Sequence, residues 1–233
     1  MTEQPIREAL DAAGRVPSES DLETLSRQLN RPVRDVVEIG ARCVCGNPLV
    51  ATTAPRLSSG IPFPTTYYLA HPVITAAVSR LEAAGLMNEM NEKLGEDSAL
   101  AAAYVQAHES YLANRAAIGE RSGTGAVPEI DGVSAGGMPT RVKCLHVLVG
   151  HSLAAGQGVN PLGDEALNGI AEWWTKDKCY CVGAWDTESE APSHDRSRHV
   201  KTQEMQDPAA KRAQRAAKRA EREAAERAAG DDA

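Results

Sequence analysis

The chain has 233 residues, 42% of them apolar and 24% charged, and a formal net charge of −7. That apolar content fills one sizeable core and would crowd two full domains. The acidic balance excludes a molecule built as a whole to coat nucleic acid or an anionic membrane, and no apolar run approaches the roughly 20 residues of a membrane span.

Residues 1–17 are polar, lack an apolar stripe and read as a flexible arm without a secretory leader, so the expected compartment is the cytoplasm. In "SESDLETLSRQLNRP", Ser18 or Ser20 offers an N-cap, Leu22, Leu25 and Leu29 form a helical stripe, and Pro32 ends it. β-Branched residues on both sides of Cys43-Val44-Cys45-Gly46-Asn47-Pro48 then predict two strands joined by a tight connection. "TTYYLAH" predicts a third strand, ending at His71 and Pro72.

From Val73 the apolar spacing becomes helical through Ile74, Val78, Leu81, Leu86, Met90 and Leu94, with Gly85 and Gly95 as breaks. Leu100, Tyr104, His108 and Tyr111 continue the pattern in a further helix. Residues 119–137 have no period and read as a mobile connection or a lid. A helix over 140–154 follows, then another in "DEALNGIAEWW", and the core is expected to end near Trp185. Residues 186–233 read as a polar linker and a charged, locally basic helical tail with Asp207 as N-cap. The expected fold is α+β: a small antiparallel sheet packed by four or five helices over residues 18–185, with that charged helical C-terminal tail.

In a reducing compartment the odd set Cys43, Cys45, Cys144, Cys179 and Cys181 points to metal ligands, a reactive thiol or buried filler before it points to disulfides. Two Cys-x-Cys pairs can hold a soft metal or an iron–sulfur cluster if the fold brings them together, although zinc knuckles usually separate their cysteines by two to four residues. On a regular helix over 140–154, Cys144, Val147, Leu148 and His151 share a face. His146 then points about 200° away from Cys144, so Cys-Leu-His is not a chelating pair. Cys144 reads either as a reactive thiol beside Arg141 and Lys143 or as an inert one among Val142, Leu145 and Leu148. The turn "GGMPT", with Arg141 and Lys143 after it, is a candidate anion site. His71 is a candidate strand-end ligand or base, and Arg56, Tyr67 and His146 are candidate contacts to a small ligand. No Walker, Rossmann, serine-elbow or His-Glu-x-x-His motif is present.

The blocks "TAPRLSSGIPFPTTYYLAHP", "SRLEAAGLMNEMNEKL" and "GGMPTRVKCLHVLVGHSLAAGQGVNPLGDEAL", with the late Trp-then-Cys segment, resemble the bacterial DUF501 family over residues 22–182. The resemblance implies a soluble cytoplasmic protein, often encoded near a septum-formation initiator protein and an exopolyphosphatase, and brings no established activity. It also implies one cysteine at the place of Cys43 and other residue types where Cys45 stands. That makes Cys43, His71, Cys144 and Cys179 the expected metal quartet, with zinc or an iron–sulfur cluster as the cofactor.

The leading expectation is a metal- or small-ligand-binding domain whose site gathers Cys43, His71, Cys144 and either His146 or His151. A second is a non-catalytic accessory protein that meets division or envelope partners through its tail. The third is an enzyme acting on a phosphate-type anion held by Arg56, Arg141 and Lys143.

Overall fold

The computed structural model describes residues 14–192, so the expected arm over 1–13 and the tail beyond 192 lie outside the described residues. Ser18 starts the first element by a reciprocal cap: its hydroxyl accepts from the Asp21 amide at 3.1 Å while the Asp21 carboxylate accepts from the Ser18 amide at 2.9 Å. Helix α1, Glu19–Gln28, then buries Leu25 against the sheet.

Strands β1 (Val36–Arg42), β2 (Pro48–Thr53) and β3 (Tyr67–Leu69) pair antiparallel in the order β1-β2-β3. Val36 pairs with Thr53 and Arg42 with Pro48, while Val50 pairs with Leu69. The central strand β2 is buried along its whole length, as a β-branched and apolar run at the middle of a sheet requires. At Gly40 a Cβ would lie 2.9 Å from Thr52 Oγ1 and 3.1 Å from Ala154, so only glycine lets a helix sit this close to the sheet.

Helix α2 (Pro72–Ala83) begins at the proline after His71. Gly85, in the left-handed region at φ +94°, turns the chain into α3 (Leu86–Glu96), and the Asp97 carboxylate caps α4 (Ser98–Ser122) through the Ala99 and Leu100 amides. These two breaks divide the long apolar run, and with α5 (Leu145–Ala155) and α6 (Pro161–Gly169) they bring the described residues to six helices in an α+β arrangement.

Helix α5 is the centre of the packing. Leu145, Leu148 and Val149 are fully buried between the sheet, α2 and α6, each contributing roughly 1.5–3 kcal/mol by leaving water. Gly163 of α6 faces the Leu148 carbonyl so closely that a side chain there would collide with it. Among the described residues no helix is long and apolar enough to cross a membrane.

Two segments differ from expectation. Residues 119–137 are fastened down, because the buried Arg115 guanidinium donates to the Ile130 carbonyl at 2.7 Å and to the Val133 carbonyl, and Val127 and Ile130 are buried. The central helix starts at Leu145 and not at 140. The Lys143 amide donates back to the Gly136 carbonyl at 2.7 Å and the Arg141 amide to that of Gly137 at 3.2 Å, a turn made accessible by positive φ at both glycines.

Candidate metal centre

The β1–β2 connection is a tight turn. The Gly46 amide donates to the Cys43 carbonyl at 2.8 Å, and the Cys43 amide to that of Asn47 at 2.8 Å, with Gly46 at φ +92°. Arg42, the last residue of β1, pins this turn to α1. Its guanidinium grips both oxygens of Asp21, at 2.6 and 3.0 Å, and also donates to the Gly46 carbonyl at 2.9 Å. Arg42 holds the Asp21 carboxyl well below its ordinary range, at about 2.

The second Cys-x-Cys pair arrives from the far end of the described chain. After α6, Trp174 is buried, and a turn in which the Ala184 amide donates to the Cys181 carbonyl at 3.1 Å presents Cys179 and Cys181. The sulfurs of Cys43, Cys45, Cys179 and Cys181 all lie within 4.8 Å of one another. Cys45 and Cys181 sulfurs are 3.5 Å apart, too far for a disulfide at about 2.05 Å.

Tetrahedral coordination with bonds of about 2.3 Å separates sulfurs by roughly 3.8 Å, so the four thiols fit around one ion. Burial and then the neighbouring sulfurs of Cys45, Cys43 and Cys179 push the Cys181 thiol far up, against the Asn47 contact.

His71, the residue between β3 and α2, is fully buried and its Nε2 is 3.5 Å from Cys181 Sγ. Burial pushes its pKa down to about 4, so the ring is neutral at ordinary pH. Trp185 meets it edge-on at 5.7 Å, and Nδ1 has no protein hydrogen-bond partner.

A separate group contains Glu82, Cys144 and His146, whose ligand atoms also lie within 4.8 Å of one another. Cys144 is the N-cap of α5 with extended backbone, φ −158° and ψ 112°, so the helical angle between it and His146 does not apply and Cys-Leu-His becomes a close pair. Cys144 Sγ is 3.9 Å from His146 Nδ1, and Glu82 Oε1 is 3.1 Å from the same nitrogen. Two neighbours hold the pair in place: the Asn91 amide of α3 clamps both backbone groups of Val142, at 2.8 and 3.1 Å, and the Glu82 carboxylate of α2 accepts from the Leu145 amide at 2.7 Å. Cys144 and then Glu82 push the His146 pKa up to about 9.

The expected quartet is therefore divided in space. Cys43 and Cys179 meet, His71 touches their group through Cys181, and Cys144 stands with His146 and Glu82. His151 joins neither group: it is buried between Tyr67 and Tyr111, and its Nδ1 lies 3.3 Å from Asn160. Among the candidate ligand contacts, Tyr67 and His146 line one groove, while Arg56 is already engaged by Glu129 at 2.7 Å and the Gly60 carbonyl at 2.9 Å. Arg141 and Lys143 extend exposed from their turn, and their own amides donate within it, to the Gly137 and Gly136 carbonyls.

The expected quartet leaves out Cys45 and Cys181, which stood open as members of the two Cys-x-Cys pairs, and Glu82 was not among the candidates. The repeated Cys-x-Cys spacing was the signal for the first two, and none marked Glu82 among the acids of its helix.

A family model described as a protein of unknown function, DUF501, matches residues 39–168. That is more than half of the chain, and the chain belongs to this family. The matched segment holds Cys43, Cys45, Glu82, Cys144 and His146 and ends before Cys179 and Cys181. No curated protein and no solved structure matches the chain.

Proposed function

We propose that this DUF501 member is a metal-binding protein in which Cys43, Cys45, Cys179 and Cys181 hold a single ion, zinc by the chemistry of the donors. The observation that carries the reading is the mutual approach of four free thiols within 4.8 Å from two turns far apart in sequence. Four thiolates suit a soft or borderline ion, and their close spacing favours one ion over a multi-iron cluster, whose atoms would stand between the sulfurs.

Four protein ligands close the coordination sphere, so the ion serves structure. It staples the β1–β2 turn to the segment after α6, and at Cys181 metal binding replaces the proton that burial otherwise favours. His71 supports this arrangement: a neutral ring with its proton on Nε2 donates to the Cys181 sulfur and lowers the cost of a buried thiolate.

The test is cobalt substitution in the full chain. A tetrathiolate gives sulfur-to-cobalt charge-transfer bands several times as intense as a single thiolate does, and bands of that intensity are expected in the wild type and lost in Cys45→Ser. A wild type without such bands would remove the reading.

A further inference from the structure

We infer that Glu82, Cys144 and His146 form a second metal site, of three protein ligands with a fourth position open to the groove beside it. This site is independent of the tetrathiolate and is argued from its own geometry.

The histidine carries the argument. Its Nε2 lies 3.2 Å from the Thr75 carbonyl oxygen, which can only accept, and 3.3 Å from the Ser79 hydroxyl, which can accept as well, so both neighbours suit a proton on that nitrogen. Nδ1 faces Cys144 Sγ and Glu82 Oε1, where the metal-free ring holds a proton and a bound metal would take that proton's place. This is how metal-bound histidines are oriented, with the remote N–H given to a backbone carbonyl. The carboxylate is held in the same manner by the Leu145 amide at 2.7 Å.

The distances fit one ion. Bonds of about 2.3 Å to sulfur and about 2.0 Å to nitrogen and oxygen at tetrahedral angles place sulfur and nitrogen roughly 3.5 Å apart and nitrogen and oxygen roughly 3.3 Å apart. The structure has 3.9 and 3.1 Å. One thiolate, one imidazole and one carboxylate form a mixed donor set suited to zinc, and three protein ligands plus an exchangeable water is the pattern of zinc sites that act on ligands.

Cys144 and His146 line a groove of about 620 Å³ together with Tyr68, Leu69, Thr75 and Val147. Both ligands are only partly buried. A small molecule offering an oxygen or nitrogen donor can therefore reach the fourth position. An ion pair of Glu82 with a protonated His146, capping α5, is the competing use of the same three side chains.

Zinc stoichiometry separates the two. The full chain is saturated with zinc, dialysed and analysed for metal alongside His146→Gln, Glu82→Gln and Cys45→Ser. Two zinc ions per wild-type chain and one in each single variant are expected. One ion in the wild type, retained in both His146→Gln and Glu82→Gln, overturns the second site and leaves the tetrathiolate standing. One ion lost in His146→Gln and kept in Cys45→Ser upholds the second site and overturns the tetrathiolate. If His146→Gln does not fold, Glu82→Gln gives the same reading.

Azide added to the cobalt form then probes the open position. A spectral change in the wild type that is absent in His146→Gln is expected, and bands insensitive to azide overturn the claim that this site is open.

Discussion

The two cysteine-containing groups are assembled in different ways from similar atoms. The four-cysteine cluster draws its sulfurs from two turns, and its Cys45–Cys181 contact joins positions 136 apart in sequence. The Glu82–Cys144–His146 group draws two of its ligands from positions two residues apart at a helix start and one from the neighbouring helix α2. One arrangement links distant segments and is closed by its own ligands. The other rests on a scaffold already fixed by α2, α3 and α5 and leaves one side toward a groove. Metal loss should therefore cost stability at the first and little but binding at the second.

The largest expected effect follows from that contrast. Treated as a cross-link closing a loop of more than 100 residues, the tetrathiolate contributes about 4–5 kcal/mol. Cys45→Ser, or a strong chelator on the wild type, should then lower Tm by roughly 10 °C or more, while His146→Gln shifts it far less. Calorimetry on the three samples checks this, and equal shifts would erase the distinction drawn between the groups.

His71→Phe keeps an apolar ring beside Trp185 and removes the ring nitrogen that lies 3.5 Å from the Cys181 sulfur. A weakening of metal affinity by about 10–100-fold is expected, with most of it recovered by His71→Gln, whose amide still donates. Competition with a chromogenic zinc chelator measures it, and an unchanged affinity in His71→Phe would remove His71 from the site.

Asp21 anchors the first turn through Arg42, and its folded pKa of about 2 lies below the ordinary value of 3.8. Depression of a carboxyl stabilises the fold above its unfolded pKa, and that contribution is lost as pH falls from about 4 toward 2. Asp21→Asn should cost about 1–2 kcal/mol at neutral pH, after allowance for the partly solvated Arg42, and should flatten this acid-side loss. Denaturant melts between pH 6 and 2 on chelator-treated, metal-free protein in the Cys45→Ser background keep metal release out of the comparison.

The smallest effect is at the helix start. Glu82→Gln keeps an oxygen for the Leu145 amide and removes the charge, so a loss of only about 0.5–1 kcal/mol is expected in the metal-free protein. A fall as large as that of Cys45→Ser would mean that Glu82 holds the fold and not a site.

Several elements were legible locally. The Ser18 cap, the strand–turn–strand around Cys43 and Cys45 and the break at Gly85 each depend on residues within a few positions of one another. The start of α5 was not legible: helical spacing continues backward from Leu145 through Cys144, and nothing short of the Gly136–Lys143 hydrogen bond shows that the chain is still in a turn there. That single boundary decides whether Cys144 and His146 diverge or converge.

What the sequence by itself determined is the donor inventory and the local elements, because caps, turns and apolar periods act over a few residues. The partition of the donors was decided only by the tertiary structure. Cys179 and Cys181 reach the β1–β2 turn through the packing of α6 and the segment after it, and Glu82 reaches Cys144 because α2 lies against α5. Contacts between positions so far apart depend on how whole helices and the sheet bury their apolar faces together, and no short stretch of residues encodes that.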